Sequence, residues 1–309
     1  MIFDVQSKQS SPESTSPIIQ WYPGHIAKAE RQLFSSLDKV DLVIEVRDAR
    51  VPFSSGYPDL KKWFLDKQYL LVINRQDMIS ESAMKCWDWW LRSIGEAPLW
   101  CNARIGTGVK QLQLVAIQAG DIINERRQNR GMKPRRVRAI VLGFPNVGKS
   151  ALINRLVRKK IAVSARRAGI TRSLNWIRVS EELDLLDSPG VLPPKLEDQR
   201  GALLLAICDN IGEASYNKEE VAIGLLQVLQ QLSVIPEIGL SINSLGKRYV
   251  LDIPVSTVGS MNWLKIAANH HTSGNVTRMA QRLLDDFRRS NLGSIALELP
   301  PISLFPKPE

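Results

Sequence analysis

A glycine-rich turn of the form GxxxxGKS, Gly143 to Ser150, separates an apolar run from an amphipathic one. The apolar run, 138–143, predicts a buried strand, and the run that begins at Ala151 predicts a helix. A strand, a tight turn and a helix in this order point backbone N–H groups and the positive end of the helix dipole at a bound phosphate. The unit therefore restricts the chain to the α/β class, in which strands alternate with helices around a sheet.

The residues of this turn have distinct expected roles. Lys149 is expected to reach the β and γ phosphates and to take part in catalysis, and the Ser150 hydroxyl is expected to hold Mg²⁺. The other phosphate-binding groups are expected to come from Asn146, Val147, Gly148 and Ala151.

A second motif downstream completes the predicted metal site. Asp187 ends the predicted strand 183–187 and is expected to reach the Mg²⁺ shell, while the Gly190 N–H is expected to approach the γ-phosphate. Thr171 lies between the two motifs and is the expected second hydroxyl ligand of Mg²⁺. Taken alone, Thr171 would be an ordinary loop residue, but its position between the motifs favours the metal role.

Two further strand ends predict which base is bound. Asn74-Arg75-Gln76-Asp77 ends the predicted strand 69–77 and resembles the guanine-specificity motif Asn-Lys-x-Asp of GTPases. The Asp77 carboxylate would accept two hydrogen bonds from guanine, whereas adenine would leave it unpaired. GTP is therefore favoured over ATP, and an ATP-dependent kinase is disfavoured. Arg75 replaces the usual Lys, and its planar guanidinium is expected to cover the base.

The order of the motifs predicts an unusual topology. The predicted strand 98–104 ends with Asn102-Ala103-Arg104, which resembles the Ser-Ala-Lys loop whose Ala N–H, here that of Ala103, contacts the guanine carbonyl oxygen. In ordinary GTPases the phosphate loop comes first, whereas here both guanine motifs precede it. This order predicts a circularly permuted GTPase domain with a mostly parallel sheet and helices on both faces. The basic segment 126–138 is expected to be the connector that makes the permutation possible.

Composition and the pattern of apolar residues divide the chain into three parts. They predict a flexible tail over residues 1–19 and the permuted GTPase domain over residues 20–195. For residues 196–309 they predict a smaller, mainly α-helical domain. Because Gly190 lies just before that boundary, we expect the C-terminal domain to respond to the nucleotide state.

The charge balance concerns partners rather than fold. Lys and Arg number 41 and Asp and Glu 31, so the net charge is +10, which favours an anionic partner. Two basic stretches without acids, 126–138 and 155–172, favour contact with RNA phosphates, although such runs are also typical of solvated surfaces. Three unclustered cysteines indicate a reducing compartment, either the cytoplasm or an organelle matrix or stroma of bacterial descent. No run is long and apolar enough to span a bilayer, so we expect no membrane partner, and we expect a monomer.

Two segments resemble those of a known family. They are Trp21-Tyr-Pro-Gly-His25 and Asp48-Ala-Arg50-Val-Pro52. Together with the permuted motif order, they are similar to the ribosome biogenesis GTPase A family. The resemblance implies a factor that binds GTP and GDP with Mg²⁺, associates with the large ribosomal subunit and hydrolyses GTP there. It also implies that the C-terminal helical domain contacts ribosomal RNA.

The resemblance also bears on how water is activated. Val191 stands where Ras-like GTPases carry the Gln that orients the attacking water, so another group is needed. The family implies that His25 takes this part, and the alternative is a packed or helix-capping His. Asn146 resembles the Asn with which some GTPases recruit K⁺, and the alternative is a loop Asn bonded to its own backbone.

Two other functions remain open at this point. One is a GTP-gated RNA-binding scaffold in which hydrolysis is incidental. The other is a GTPase of RNA modification or of translation.

Overall fold

A computed structural model describes the sheet, the phosphate loop and most of the C-terminal helices. The predicted helix that opens at His25, the segment around Thr171 and the residues Gly190 and Val191 lie outside the described residues, and Asp187 is described by its backbone only. The structure describes residues 19, 39–57, 60–64, 67–157, 175–187, 198–233, 235, 243–251 and 257–300.

The described strands form one six-stranded sheet in the order β3-β2-β1-β4-β6-β5. All neighbouring strands are parallel except β5 and β6, which pair antiparallel. The mostly parallel sheet predicted from the sequence is therefore confirmed. The strand bounds are Leu42–Asp48 for β1, Gln68–Asn74 for β2, Pro98–Trp100 for β3, Val137–Leu142 for β4, Asn175–Arg178 for β5 and Leu183–Asp187 for β6.

Three of the described helices belong to the sheet region, and five follow it. The second helix runs to Gln128, so the basic segment 126–138 begins inside a helix and leads directly into β4. No helix of the described residues is long and apolar enough to cross a membrane. The helix bounds are Glu81–Ser93 (α1), Val109–Gln128 (α2), Lys149–Val157 (α3), Gln199–Ile207 (α4), Lys218–Ser233 (α5), Asn243–Tyr249 (α6), Thr257–His271 (α7) and Val276–Arg288 (α8).

Alternating strand side chains bury both faces of the sheet. Ile44 of β1 packs in the same apolar cluster as Leu112 of α2 and Leu152 of α3. Its neighbour Val43 faces the other side and packs with Leu60 of a short 3₁₀ turn. A strand alternates its side chains between two faces, and β1 is buried on both of them, so the sheet is covered on both sides.

A buried ion pair lies at the carboxyl end of β1, where the strand stops at Asp48. The Arg50 guanidinium donates to both Asp48 oxygens, at 2.9 and 2.7 Å, and the Arg50 backbone N–H donates to the same carboxylate. Burial alone would raise the pKa of the Asp48 carboxyl, but Arg50 and Arg75 hold it below its ordinary value. Arg50 also donates to the Cys208 carbonyl at 2.9 Å, which ties the end of the strand to the C-terminal helices.

The last described segment of the chain also returns to the sheet region. The Leu297 N–H donates to the Arg50 carbonyl at 2.8 Å. The Glu298 carboxylate accepts the N–H groups of Phe53 and Ser54, and its carbonyl accepts the Trp87 indole N–H at 3.0 Å. Trp87 is buried in the packing of α1. The two regions on either side of residue 196 are thus joined through side chains as well as through the chain.

We predict that Arg50→Ala strongly destabilises the fold. Removing one partner of a buried ion pair leaves the other charge uncompensated, which typically costs about 3–5 kcal/mol of unfolding free energy. The measurement is urea unfolding at pH 7. The control is Lys85→Ala, because the Lys85–Glu81 pair is exposed and should matter little.

The same variant has a predictable dependence on pH. In the wild type the pKa of Asp48 is depressed, so its stabilisation is present above the ordinary carboxyl pKa and is lost as the pH falls through the folded value. In Arg50→Ala the buried carboxylate is destabilising until it is protonated. The stability gap between the two proteins should therefore narrow on acidification, and a gap that widens would contradict this account.

Candidate functional site

A cavity of about 810 Å³ opens at the carboxyl ends of β2, β3 and β4. In parallel sheets this edge is where ligands bind. The guanine motifs and the phosphate loop supply one side of its lining, with Asn74, Arg75, Asp77, Asn102, Ala103, Asn146, Gly148, Lys149, Ser150 and Ala151. The C-terminal helices supply the other side, with Asp209, Glu213, Gln281, Asp285, Arg288, Arg289 and Ser290 among them.

The phosphate loop has the strand–turn–helix geometry that its sequence predicts. β4 ends at Leu142 and α3 begins at Lys149, so the N-terminus of α3 faces the cavity. The Lys149 ammonium is buried and donates to the Gly143 and Phe144 carbonyls, at 2.9 and 2.7 Å, which folds it back over the loop. Gly148 has φ of +100°, and a Cβ there would lie 2.2 Å from the Asn74 amide nitrogen. Only glycine fits this position.

The buried Asn74 side chain joins three loops. Its Nδ2 donates to the Val147 carbonyl of the phosphate loop at 2.9 Å, and its Oδ1 accepts the Ala103 N–H at 3.0 Å. Both ends of the amide are therefore used within the protein. The guanine motif is bonded to the phosphate loop even though the two are 73 positions apart in the chain.

Ala103 lines the cavity, and its N–H donates to the Asn74 side chain. The sequence predicts that this N–H contacts the guanine carbonyl oxygen, and that role stays a prediction. Asn102, which replaces the usual Ser, accepts the N–H groups of Arg104 and Ile105 through its side-chain oxygen. This Asx turn stops β3 at Trp100, short of the predicted residue 104, and shapes the loop from within.

Arg75 lines the cavity and also contacts neighbouring loops. Its backbone has φ of 64°, the left-handed region, and its guanidinium bonds the Asn146 carbonyl and lies 3.4 Å from an Asp48 oxygen. The role of the guanidinium in covering the base stays a prediction. Asp77 is exposed at the cavity in the turn that follows, as its predicted role in base recognition requires.

The predicted Mg²⁺ ligands are described only in part. Ser150 lines the cavity in the first turn of α3, and Asp187 lies opposite Val141 in the sheet register, next to the strand that enters the phosphate loop. A hydroxyl and a carboxylate are hard oxygen donors that suit Mg²⁺. Within the described residues no group of three or more His, Cys, Asp or Glu side chains forms a metal cluster. His270 and His271 therefore belong to no such cluster of the described residues. His271 instead packs against the Tyr249 ring.

Asn146 does not bond to its own loop, which was the alternative to a K⁺ role. Its Nδ2 donates to the Asp209 carbonyl at 2.7 Å, and the adjacent Asn210 donates to the Pro145 carbonyl at 3.1 Å. No sequence motif singled out Asp209 or Asn210. They follow the last residue of α4 by two and three positions, and no local pattern distinguishes such a turn from an ordinary helix end.

Comparison with known proteins adds to this geometry. A protein-family model described as 50S ribosome-binding GTPase matches residues 138–244. Ribosome biogenesis GTPase A of Bacillus pumilus is 35% identical over 91% of this chain and 99% of its own length. The chain belongs to the ribosome biogenesis GTPase A family. Mitochondrial ribosome-associated GTPase 1 of Mus musculus is 34% identical over 72% of this chain and 71% of that protein.

A solved structure extends the family likeness to the fold. The crystal structure of GNP-bound YlqF from T. maritima aligns with a TM-score of 0.58 and 19% identity, over 88% of this chain and 98% of that one. The matched family model begins with β4, so both guanine motifs lie upstream of it. The chain therefore has the circularly permuted GTPase fold that the sequence predicts.

We predict that Asn74→Asp weakens binding of GTP by at least about tenfold, because it removes the donor to Val147 and buries a carboxylate against a carbonyl. The matched control is Asn124→Asp, since Asn124 makes the same two kinds of bond, with the Arg135 N–H and carbonyl, outside the cavity. Calorimetry should show weakened binding for the first variant only. Equal affinities would mean that the bridge between the loops does not support the site.

A second variant tests the choice of base. Asp77→Asn should weaken GTP binding by roughly 10- to 100-fold, the usual worth of hydrogen bonds to a charged group. It should strengthen binding of xanthosine triphosphate, because an Asn amide can donate to the 2-oxo group of xanthine. Asp121→Asn, at an exposed acid of α2, is the control. A variant that keeps its preference for GTP would exclude Asp77 from base recognition.

Proposed function

We propose that this chain is a GTP-hydrolysing assembly factor for the large ribosomal subunit and that the ribosome stimulates its hydrolysis. The observation that carries the proposal is the bond between Asn74 of the guanine motif and Val147 of the phosphate loop, which makes one site of two distant motifs. Family membership supports the ribosomal partner, since relatives over most of the chain are named ribosome biogenesis GTPase A.

The proposed roles within the site follow from chemistry and position. Asp77 recognises guanine, and the loop N–H groups and Lys149 bind the phosphates, the buried ammonium being released from the loop carbonyls when phosphate enters. Ser150, Thr171 and Asp187 would hold Mg²⁺, which neutralises charge on the phosphate oxygens when bound. The Gly190 N–H would contact the γ-phosphate.

Two further roles concern the hydrolysis step. His25 would position the attacking water, since Val191 has no group for this task. The Asn146 amide donates through Nδ2 to Asp209, which leaves its carbonyl oxygen as the end suited to K⁺. These assignments rest on the family resemblance and on the residue types.

Exposed cations near the connector would contact ribosomal RNA. Arg126, Arg130 and Lys133 are exposed, whereas Arg135 pairs with Asp41 and Arg136 pairs with acids near β6. The exposed group therefore offers charge to RNA phosphates, and the paired group stabilises the fold. We infer a division into a tail (1–19), a GTPase domain (20–195) and an RNA-contacting helical domain (196–309), working as a monomer in the cytoplasm or an organelle matrix.

The deciding measurement is GTP turnover with and without purified large ribosomal subunits, in K⁺ and in Na⁺. We expect the subunits to stimulate the wild type in K⁺ and not His25→Ala, which should still bind GTP. His270→Ala, at an exposed His of α7, should behave as the wild type.

Each contrary result has a distinct meaning. Binding of GTP without stimulation in either salt would favour an RNA-binding scaffold gated by GTP. Stimulation by small subunits or by transfer RNA alone, with normal large subunits in cells depleted of the protein, would favour RNA modification or translation.

A further inference from the structure

The turn Cys208–Asn210 at the end of α4 contacts the phosphate loop at two consecutive residues. The Asp209 carbonyl accepts the Asn146 side-chain N–H at 2.7 Å, and the Asn210 side chain donates to the Pro145 carbonyl at 3.1 Å. Asn210 is fully buried, so this bond forms away from water. A buried bond to a backbone carbonyl fixes the position of that carbonyl more firmly than an exposed one.

The turn is itself fixed from the sheet. The Cys208 carbonyl accepts the Arg50 guanidinium at 2.9 Å, and Arg50 is held by Asp48 at the end of β1. Each residue of the turn therefore has one bond that ties it to the GTPase domain. The turn follows α4 in the sequence, but its bonds join it to the phosphate loop of the nucleotide site.

Backbone strain is concentrated at the same place. Six non-glycine residues of the described chain have positive φ, and three of them, Arg75, Asn146 and Asp209, are bonded in a row. Arg75 bonds the Asn146 carbonyl, and Asn146 bonds the Asp209 carbonyl. Such conformations persist only where the surroundings over-determine them, and they are typical of ligand-binding sites.

We propose that the Cys208–Asn210 turn positions the phosphate loop for nucleotide, so that nucleotide binding and docking of the C-terminal helices stabilise each other. This inference rests on the proposed function, because the ligand is the guanine nucleotide of that site. Asp209 and Asn210 are positioning residues, since they act through Asn146 and Pro145. The coupling is reciprocal, as linkage between two binding events requires.

The coupling should act on the phosphates and not on the base. The turn contacts Pro145 and Asn146 of the phosphate loop, and Asp77 recognises the base from another loop. Inosine diphosphate lacks the 2-amino group of GDP, so the ratio of the two affinities reports on base recognition alone. A change at the turn should lower both affinities and leave their ratio constant.

The first experiment measures GDP and IDP binding to full-length Asn210→Ala by calorimetry. Loss of one buried hydrogen bond should weaken both ligands by roughly five- to tenfold, with the same GDP to IDP ratio as the wild type. Asn210→Asp keeps the size of the side chain but removes the donor, and it should weaken the binding of both ligands at least as strongly. Asn269→Ala, the same substitution at an exposed position of α7, is the matched control.

The second experiment begins with the wild type, so its first result does not depend on whether a variant folds. Amide hydrogen exchange of the wild type should slow in residues 204–211 when GDP is added, because the ligand stabilises the docked turn. A double-mutant cycle of Asn210→Ala with Asn146→Ala should be non-additive in GDP affinity, because the two side chains make neighbouring bonds that hold the same turn against the same loop.

The outcomes separate this inference from the function on which it rests. A wild type that binds GDP, with unchanged affinity in the Asn210 variants and a lowered melting temperature, would make the turn merely structural and overturn the inference alone. Exchange that does not slow at 204–211 would do the same. A wild type that does not bind GDP at all would overturn the proposed function and the inference together.

Discussion

One buried amide, that of Asn74, fixes the relative positions of the three loops that form the nucleotide site. It donates to the phosphate loop and accepts from the loop after β3, so three strand ends share a single side chain. A buried amide that uses both ends within the protein is strongly specified, because any shift of one loop would leave a polar group unsatisfied. The glycine at position 148 exists in that conformation because the amide approaches so closely.

This bridge also explains why chain order matters little for the site. The guanine motifs follow β2 and β3, which are neighbours in the sheet. β2 lies beside β1, and β1 lies beside β4, which enters the phosphate loop. Contacts at the sheet edge depend on this order of strands in space and not on their order along the chain. The helix α2 and the basic segment after it carry the chain back across the sheet to β4, so the permutation is accommodated by a connector.

The sequence predicted what local patterns encode. Apolar runs located β1, β2 and β4, and the motif residues that follow them meet at one cavity as expected from parallel strands. The bonds of the Ala103 N–H and of the Arg75 guanidinium could not be predicted, because their partners, Asn74 and Asn146, come from other loops. The turn at Asp209 was missed because its contact spans 63 positions, and a helix end carries no signal of what it will touch.

The C-terminal helices are attached to the sheet region at two separate places. One is the turn after α4, and the other is the segment around Leu297, whose N–H bonds the Arg50 carbonyl. The first attachment uses the Arg50 guanidinium and the second uses the Arg50 carbonyl, so both converge on one buried residue. A displacement of this residue would therefore loosen two distant stretches of the C-terminal region together.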